Sequence, residues 1–393
     1  MMRVSMPTMY ANIQSQLERI VSEMQYTNAQ ISTQRKYQSI SDNPVAVGSL
    51  MQMNGESGQI TQYKSNLDTA NSWLSATETT LSNINTLVSS TASLAEQMAT
   101  GTYTAAQRGA AAQQIQQYMD EFMQMGNTRY QGQYILSGYK IDTEPFAKGN
   151  FTIQQPTMNL QSGSTGAATS SGTYTGTSSV TYLVKIVSGG ATGTATYQVS
   201  QDGGQTWSGT STTAAGPVAI GTNGAQVSFS GNWVAGDSFT ISVYQPINYK
   251  GDNNTLNLGI GRNSNMGVSL VGSDVVGGAG GANDLFQIMA NLKSNLEANN
   301  AAGVGARLEE LKNYQAHLLS SLAGVGAALN RVTAKQNAYD TLNEQLTKDI
   351  SNTGDTDLVA AATTLANQQL AYQAALQSSS KIMSMSLVNY LPT

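Results

Sequence analysis

The two ends of this 393-residue chain carry the same helical stripe, and that repetition constrains the fold more than any other feature. From Leu358, alternate steps of four and three reach Ala362, Leu365, Gln369, Tyr372, Leu376, Ser379, Met383, Leu387 and Tyr390, and eight of these ten positions are apolar. A mean spacing of about 3.5 residues is that of a coiled-coil seam. Met6, Tyr10, Ile13, Leu17, Ile20, Met24, Thr27 and Ile31 keep the same rhythm near the N-terminus. Off the seam, the last helix is mostly Ala, Gln, Ser, Thr and Asn, so it is marginal alone and needs a partner helix. Two readings stay open: core helices of an ordinary bundle, or two terminal helices that share a seam and fold fully only on assembly. On the second, Met6, Tyr10, Ile13, Leu17, Ile20, Met24, Ile31, Leu365, Tyr372, Leu376, Met383, Leu387 and Tyr390 are candidate subunit-interface residues.

Longer stripes lie between the ends. Ile60, Tyr63, Leu67, Ala70, Leu74, Thr77, Leu81, Ile84, Val88, Thr91, Ala95 and Met98 predict one long helix, closed by Gly101 and Thr102. A shorter helix is expected from about Thr104 to Asn127, with Ile115, Met119 and Phe122 inward, and another from Asn283 to about Asn299. The stripe from Val304 through Leu311, Leu318, Val325, Leu329, Val332 and Leu346 to Ile350 predicts a second long one. Pro44 breaks the first pair of helices, with Ser41 or Asp42 as the expected cap, and Thr356 or Asp357 should cap the last helix. Residues 128–138 read as an extended exit. After Pro145 the chain turns rich in Gly, Ser, Thr and Val, with short alternating runs such as Tyr182–Val187 and Ser238–Tyr244. Residues 162–179 are low complexity and read as a loose loop, and Gly277–Gly281 as a domain hinge. The expected class is α+β: a discontinuous long-helix coiled-coil or bundle rod made from both chain ends, with an inserted all-β outer domain. Its parts are terminal helices at 1–40 and 355–393, a helical rod at 41–144 and 283–354, and the β domain at 145–282.

Composition excludes several kinds of chemistry. Cysteine is absent and His317 is the single histidine, which removes Cys-based zinc sites and leaves a histidine-centred triad almost no support. A net charge of −5, with 11% charged residues, argues against a nucleic-acid binder. No stretch approaches 18 apolar residues, so no membrane span is expected, and the segment after Arg3 lacks the apolar run of a signal peptide. Ser200-Gln201-Asp202-Gly203-Gly204-Gln205-Thr206-Trp207 resembles a sialidase Asp-box, but it occurs once and reads as a hairpin turn. No catalytic residue, cofactor or metal ligand is expected.

Several segments together resemble the flagellin family. They are Arg35 with Ser41-Asp42-Asn43-Pro44, Ser72-Trp73-Leu74-Ser75, Asn127-Thr128-Arg129-Tyr130-Gln131-Gly132-Gln133-Tyr134 with Leu136-Ser137-Gly138, Asp284-Leu285-Phe286, and Ser386-Leu387-Val388-Asn389-Tyr390-Leu391. The family-motif positions are thus Arg35, Asp42, Pro44, Trp73, Leu74, Tyr130, Gly132 and Gly138. Arg3-Val4-Ser5 is closer to the members that join hook to filament than to filament subunits, and Asn43 stands where the family often has a second aspartate. The resemblance implies a non-enzymatic structural protein of the bacterial flagellum, an adaptor on which filament subunits assemble. Its implied partners are copies of itself in a ring, a neighbouring hook-associated protein, flagellin, an export chaperone and the flagellar type III export apparatus. The implied location is extracellular, reached without a cleaved signal peptide. A filament flagellin and a glycan-binding surface protein are the alternatives.

Overall fold

In the computed structural model, residues 6–281 and 283–388 are described, with side-chain surroundings for 8–281 and 283–381. The helices are α1 (Met6–Thr33), α2 (Pro44–Met98), α3 (Ala105–Gly126), α4 (Gly272–Val275), α5 (Leu285–Glu297), α6 (Ala301–Gly354) and α7 (Leu358–Val388). All described strands lie between Arg129 and Gly267. The class is α+β, with long helices from both ends and a β-rich middle, as expected.

α2 begins at Pro44, not near Ile60. Proline suits the first helical position because its missing N–H would have no intrahelical acceptor there. The cap is Asn43 rather than Ser41 or Asp42: its Oδ1 accepts from the Ala46 amide at 3.1 Å. Asn is as good an N-cap as Asp, so the family's second aspartate is not needed for this helix start.

The chain divides into two compact units, one from its ends (Met1–Ser65 and Lys335–Thr393) and one from its middle (Asn66–Ala334). In the middle unit the α2 stripe from Leu67 to Met98 is buried at every four-three position. Its two polar members are satisfied within their own helix, Thr77 Oγ1 donating to the Trp73 carbonyl and Thr91 Oγ1 to that of Leu87, both at 2.9 Å. On α6, Val304, Leu311, Leu318, Val325 and Val332 are buried, while Leu329 is half-buried. Gln315 Nε2 bonds Ser89 Oγ at 2.9 Å, which fixes the register of α6 on α2.

α3 and α5 pack on each other. Thr104 and Gln107 form a capping box at the start of α3, and Asp284 Oδ1 accepts from the Gln287 amide at the start of α5. Arg108 is buried without a carboxylate. Its guanidinium donates to the carbonyls of Met98, Thr100 and Tyr103 and to Asn299 Oδ1, at 2.5–2.9 Å. These donors close the end of α2, where carbonyls lack intrahelical partners.

In the β-rich part, strand Val180–Ser188 pairs with Ser238–Tyr244 on one side and Thr196–Ser200 on the other, all antiparallel. A second sheet pairs Ala225–Ser230 with Ala167–Gly172 and Val218–Ala219. The segment read as a loose loop thus contains a six-residue strand, whose Ser, Thr and Ala pair well without carrying a hydrophobic signal. Between the sheets lies a core of Tyr182, Val184, Ile186, Val227, Phe229, Trp233, Phe239 and Ile241.

Two further readings change. Residues 129–134 form a two-residue hairpin, with Gln131 at φ 50° and Gly132 at φ 84°, the left-handed pair of a type I′ turn. The glycine loop at 277–281 is tied rather than hinge-like, because Asp284 Oδ2 accepts from the amides of Gly278 at 2.8 Å and Gly280 at 3.0 Å. The Asp-box hairpin is a turn, as read. Asp202 accepts from the amides of Gln205 and Thr206 and from the Ser200 hydroxyl. A Cβ on Gly203 would come within 2.7 Å of the Glu297 carbonyl, so the turn tip is seated on the end of α5.

Candidate subunit interface

α1 and α7 pack along each other in the unit made from the chain ends. Their start is fixed by backbone pairing rather than by side chains. Gln34, at φ 58°, turns the chain out of α1, and residues 34–36 then run antiparallel to 354–356. Lys36 N donates to the Gly354 carbonyl at 2.7 Å, and Thr356 N to that of Gln34 at 3.0 Å. Arg35, opposite Asp355 in this bridge, has an exposed side chain. Asp357, as expected, caps α7, accepting from the amides of Val359 and Ala360.

Asp42 organises the connector between α1 and α2. It accepts from the amides of Gln38 at 2.7 Å and Ser39 at 3.0 Å, from Ser39 Oγ, and from Tyr26 Oη at 3.1 Å. The backbone N–H groups of Ser39 and Gln38 hold its pKa below the ordinary carboxylate value. Within the same unit, α2 and α6 meet through Tyr63 stacked on Tyr339 at 5.8 Å, a Lys64–Asp340 ion pair, and Ser57 Oγ on Asn343.

The seam between α1 and α7 is incompletely covered. Ile13, Leu17, Ile20, Met24, Ile31, Leu365 and Tyr372 are half-buried, while Tyr10 and Leu376 are 40% and 43% exposed. The side chains of Met6, Met383 and Leu387, and all of Tyr390, lie outside the described residues. An open groove of about 720 Å³ runs between the two helices, floored by Ile13, Leu17, Val21, Tyr372 and Leu376. Further apolar side chains, not assigned from the stripes, also face outward: Leu370 at 64% and Val45 at 80% exposure, with Ile40 and Val359. Leu370 and Val359 fall between seam positions on α7, whereas Ile40 lies in the connector and Val45 in the first turn of α2.

The remaining motif positions lie in the middle unit and shape the backbone there. Trp73 and Leu74 are buried, and the Trp73 ring meets Tyr130 edge-on at 6.3 Å. Arg129 stacks over the Tyr134 ring at 4.2 Å, which braces the hairpin that Gly132 turns. Gly138, at φ 70°, has no room for a Cβ against Asp252. His317 Nε2 contacts the Asp274 carbonyl at 2.7 Å. Among the described residues no cluster of His, Cys, Asp and Glu could hold a metal ion, and no helix is long and apolar enough to cross a membrane.

Residues 4–141, which take in α1, α2, α3 and the hairpin, match the model of the bacterial flagellin N-terminal helical region. This part of the chain is similar to a flagellin N-terminal region. The flagellar hook-associated protein 3 of Salmonella typhimurium is 27% identical to the chain over 146 residues, 37% of this chain and 46% of that protein. Its counterpart in Escherichia coli is 27% identical over 148 residues, 37% and 47% of the two. The chain therefore spans about half the length of the curated relatives it matches. A solved chain described as a flagellar hook-associated protein from Vibrio parahaemolyticus shares the fold at a TM-score of 0.50 and 16% identity, over 80% of this chain and 100% of that one. The matched span contains the motif positions from Arg35 to Gly138.

Proposed function

We propose that the chain is a structural subunit of the bacterial flagellum, placed at the junction between hook and filament as an adaptor on which filament subunits assemble. The observation that carries this reading is the α1/α7 pair with its open apolar groove, a helix pair that needs further chains to cover it. The occupants are copies of this chain in a ring, with a neighbouring hook-associated protein on one side and flagellin on the other. Residues 1–40 and 355–393 serve as the assembly segments, 41–144 and 283–354 as the helical frame, and 145–282 as an outer domain. Before assembly, an export chaperone covers the C-terminal helix, and the flagellar type III apparatus delivers the chain to the outside without a cleaved signal peptide. Its role is mechanical and not enzymatic.

Filament flagellin is the second reading, because the matching N-terminal region is that of flagellin itself. Antibody labelling of isolated flagella separates the two. Label confined to one band between hook and filament supports the junction reading. Label along the filament, with purified protein polymerising alone into long filaments, supports flagellin.

A further inference from the structure

We propose that Asn223-Gly224 is a self-modifying site, where the Asn223 side chain closes onto the Gly224 amide and is converted to aspartate and isoaspartate. Two Asn-Gly pairs occur in the sequence, Asn54-Gly55 and Asn223-Gly224. Glycine after asparagine leaves the next backbone nitrogen unshielded, because no β-carbon stands beside it. Backbone setting then separates the two pairs. Asn54 lies within α2, where helical geometry holds the Gly55 nitrogen away from the side chain, and Asn54 Nδ2 donates to the Leu50 carbonyl at 2.8 Å. Asn223 lies in the turn between strands Val218–Ala219 and Ala225–Ser230, outside helix and strand, with Thr222 and Gly224 exposed on either side.

The turn cannot dispense with its glycine. Gly224 sits at φ 83°, and a Cβ there would collide with the Thr173 carbonyl. Thr222 Oγ1 stands 3.5 Å from Asn223 Oδ1, placed to donate as negative charge grows on that oxygen. In the reaction the Gly224 nitrogen, its proton taken by hydroxide, bonds to Asn223 Cγ. The Cγ–Nδ2 bond breaks, and ammonia leaves with a proton from water, giving a cyclic succinimide. Water then opens either carbonyl of the ring, to aspartate or to isoaspartate. The isoaspartyl product runs the main chain through the former side chain and lengthens it by a methylene. In the unmodified turn the Asn223 carbonyl accepts from the Thr175 amide at 3.0 Å and pins residues 173–179. In isoaspartate that carbonyl leaves the main chain, the pin is lost, and Tyr174, half-buried against Phe151, becomes accessible.

The test incubates the full chain in mildly alkaline buffer and follows both pairs by peptide mass spectrometry. Asn223 should convert, with isoaspartate among the products, and faster as hydroxide rises. Asn54 should convert at least about tenfold more slowly, because attack there waits for the helix to open. Chymotryptic cutting after Tyr174 should rise in step with isoaspartate. Asn223→Gln, whose longer side chain closes a ring far less readily, should abolish both changes. An amide retained at Asn223 would overturn the proposal, as would conversion of Asn54 at an equal rate. Cutting after Tyr174 that rises equally in Asn223→Gln would also overturn it, by showing that the loop opens without the modification.

Discussion

Two helix pairs in this molecule are built from similar residues and end in opposite states. α5 has 13 residues, of which eight are buried, and α3 packs on it with Ile115 and Phe122 fully covered. α1 and α7 have 28 and 31 residues, yet among their described side chains only Thr27 and Ala361 are buried. The difference lies in what covers the second face. α5 is sandwiched between α3 and the sheet, whereas among the described residues α1 and α7 pack along each other with no sheet on their second face. One interhelical seam buries about a third of a helix surface, and burial stabilises by about 25 cal/mol per Å². Ordering the backbone costs about 1–2 kcal/mol per residue, so a lone pair of this length is poorly supported until other chains cover it.

Truncation in the covered region should have the largest effect. Leu318→Ala removes a fully buried side chain from the α6 stripe and should cost about 2–5 kcal/mol of monomer stability, seen as a lower urea midpoint. A loss as small as that of a surface change would mean that the α2–α6 seam is not a core.

Next comes Arg108→Met, which keeps volume but leaves the carbonyls of Met98, Thr100 and Tyr103 without their donor. We expect a cost of about 1–3 kcal/mol and earlier amide exchange at the α2–α3 turn. An unchanged midpoint would show that water replaces the guanidinium.

Acid should act on the Asp202 turn. Desolvation raises the pKa of Asp202, but hydrogen bonds from Thr206, Ser200 and Gln205 outweigh it and bring the value down to about 2. A depressed carboxylate stabilises above its unfolded pKa, about 3.9, and that contribution is lost as pH falls toward about 2. The stability of the wild type should therefore drop between about pH 4 and pH 2, and Asp202→Asn should flatten part of that slope. Parallel pH profiles for the two proteins would contradict the assignment.

The smallest effect on the monomer is expected from Leu376→Ala. Its side chain is 43% exposed, so the midpoint should move by less than about 0.5 kcal/mol, while assembly on flagella is lost. Equal destabilisation by Leu376→Ala and Leu318→Ala would erase the contrast between the two regions.

Much of the helical frame was legible from spacing alone, because a four-three rhythm maps directly onto one face of a helix. The stripe from Leu67 to Met98 is buried position by position. What spacing could not convey were contacts set by the tertiary fold. Arg108 looks like a surface arginine until the Asn299 turn is brought beside it, and Lys293 like a solvated lysine until the sheet covers it. The strand Ala167–Gly172 was hidden because its residues lack apolar alternation. The α1/α7 groove was half legible: the seam was written in the ends, but the outward Val45, Val359 and Leu370 were not part of any stripe.

Amide hydrogen exchange on the verified monomer tests the central claim most directly, that the terminal pair needs other chains to cover it and the middle unit does not. Residues 8–33 and 358–381 should exchange fast, and the stripes at 67–98 and 304–332 slowly. Strong protection across 365–376 in the isolated monomer would contradict it and make α1 and α7 an ordinary bundle core.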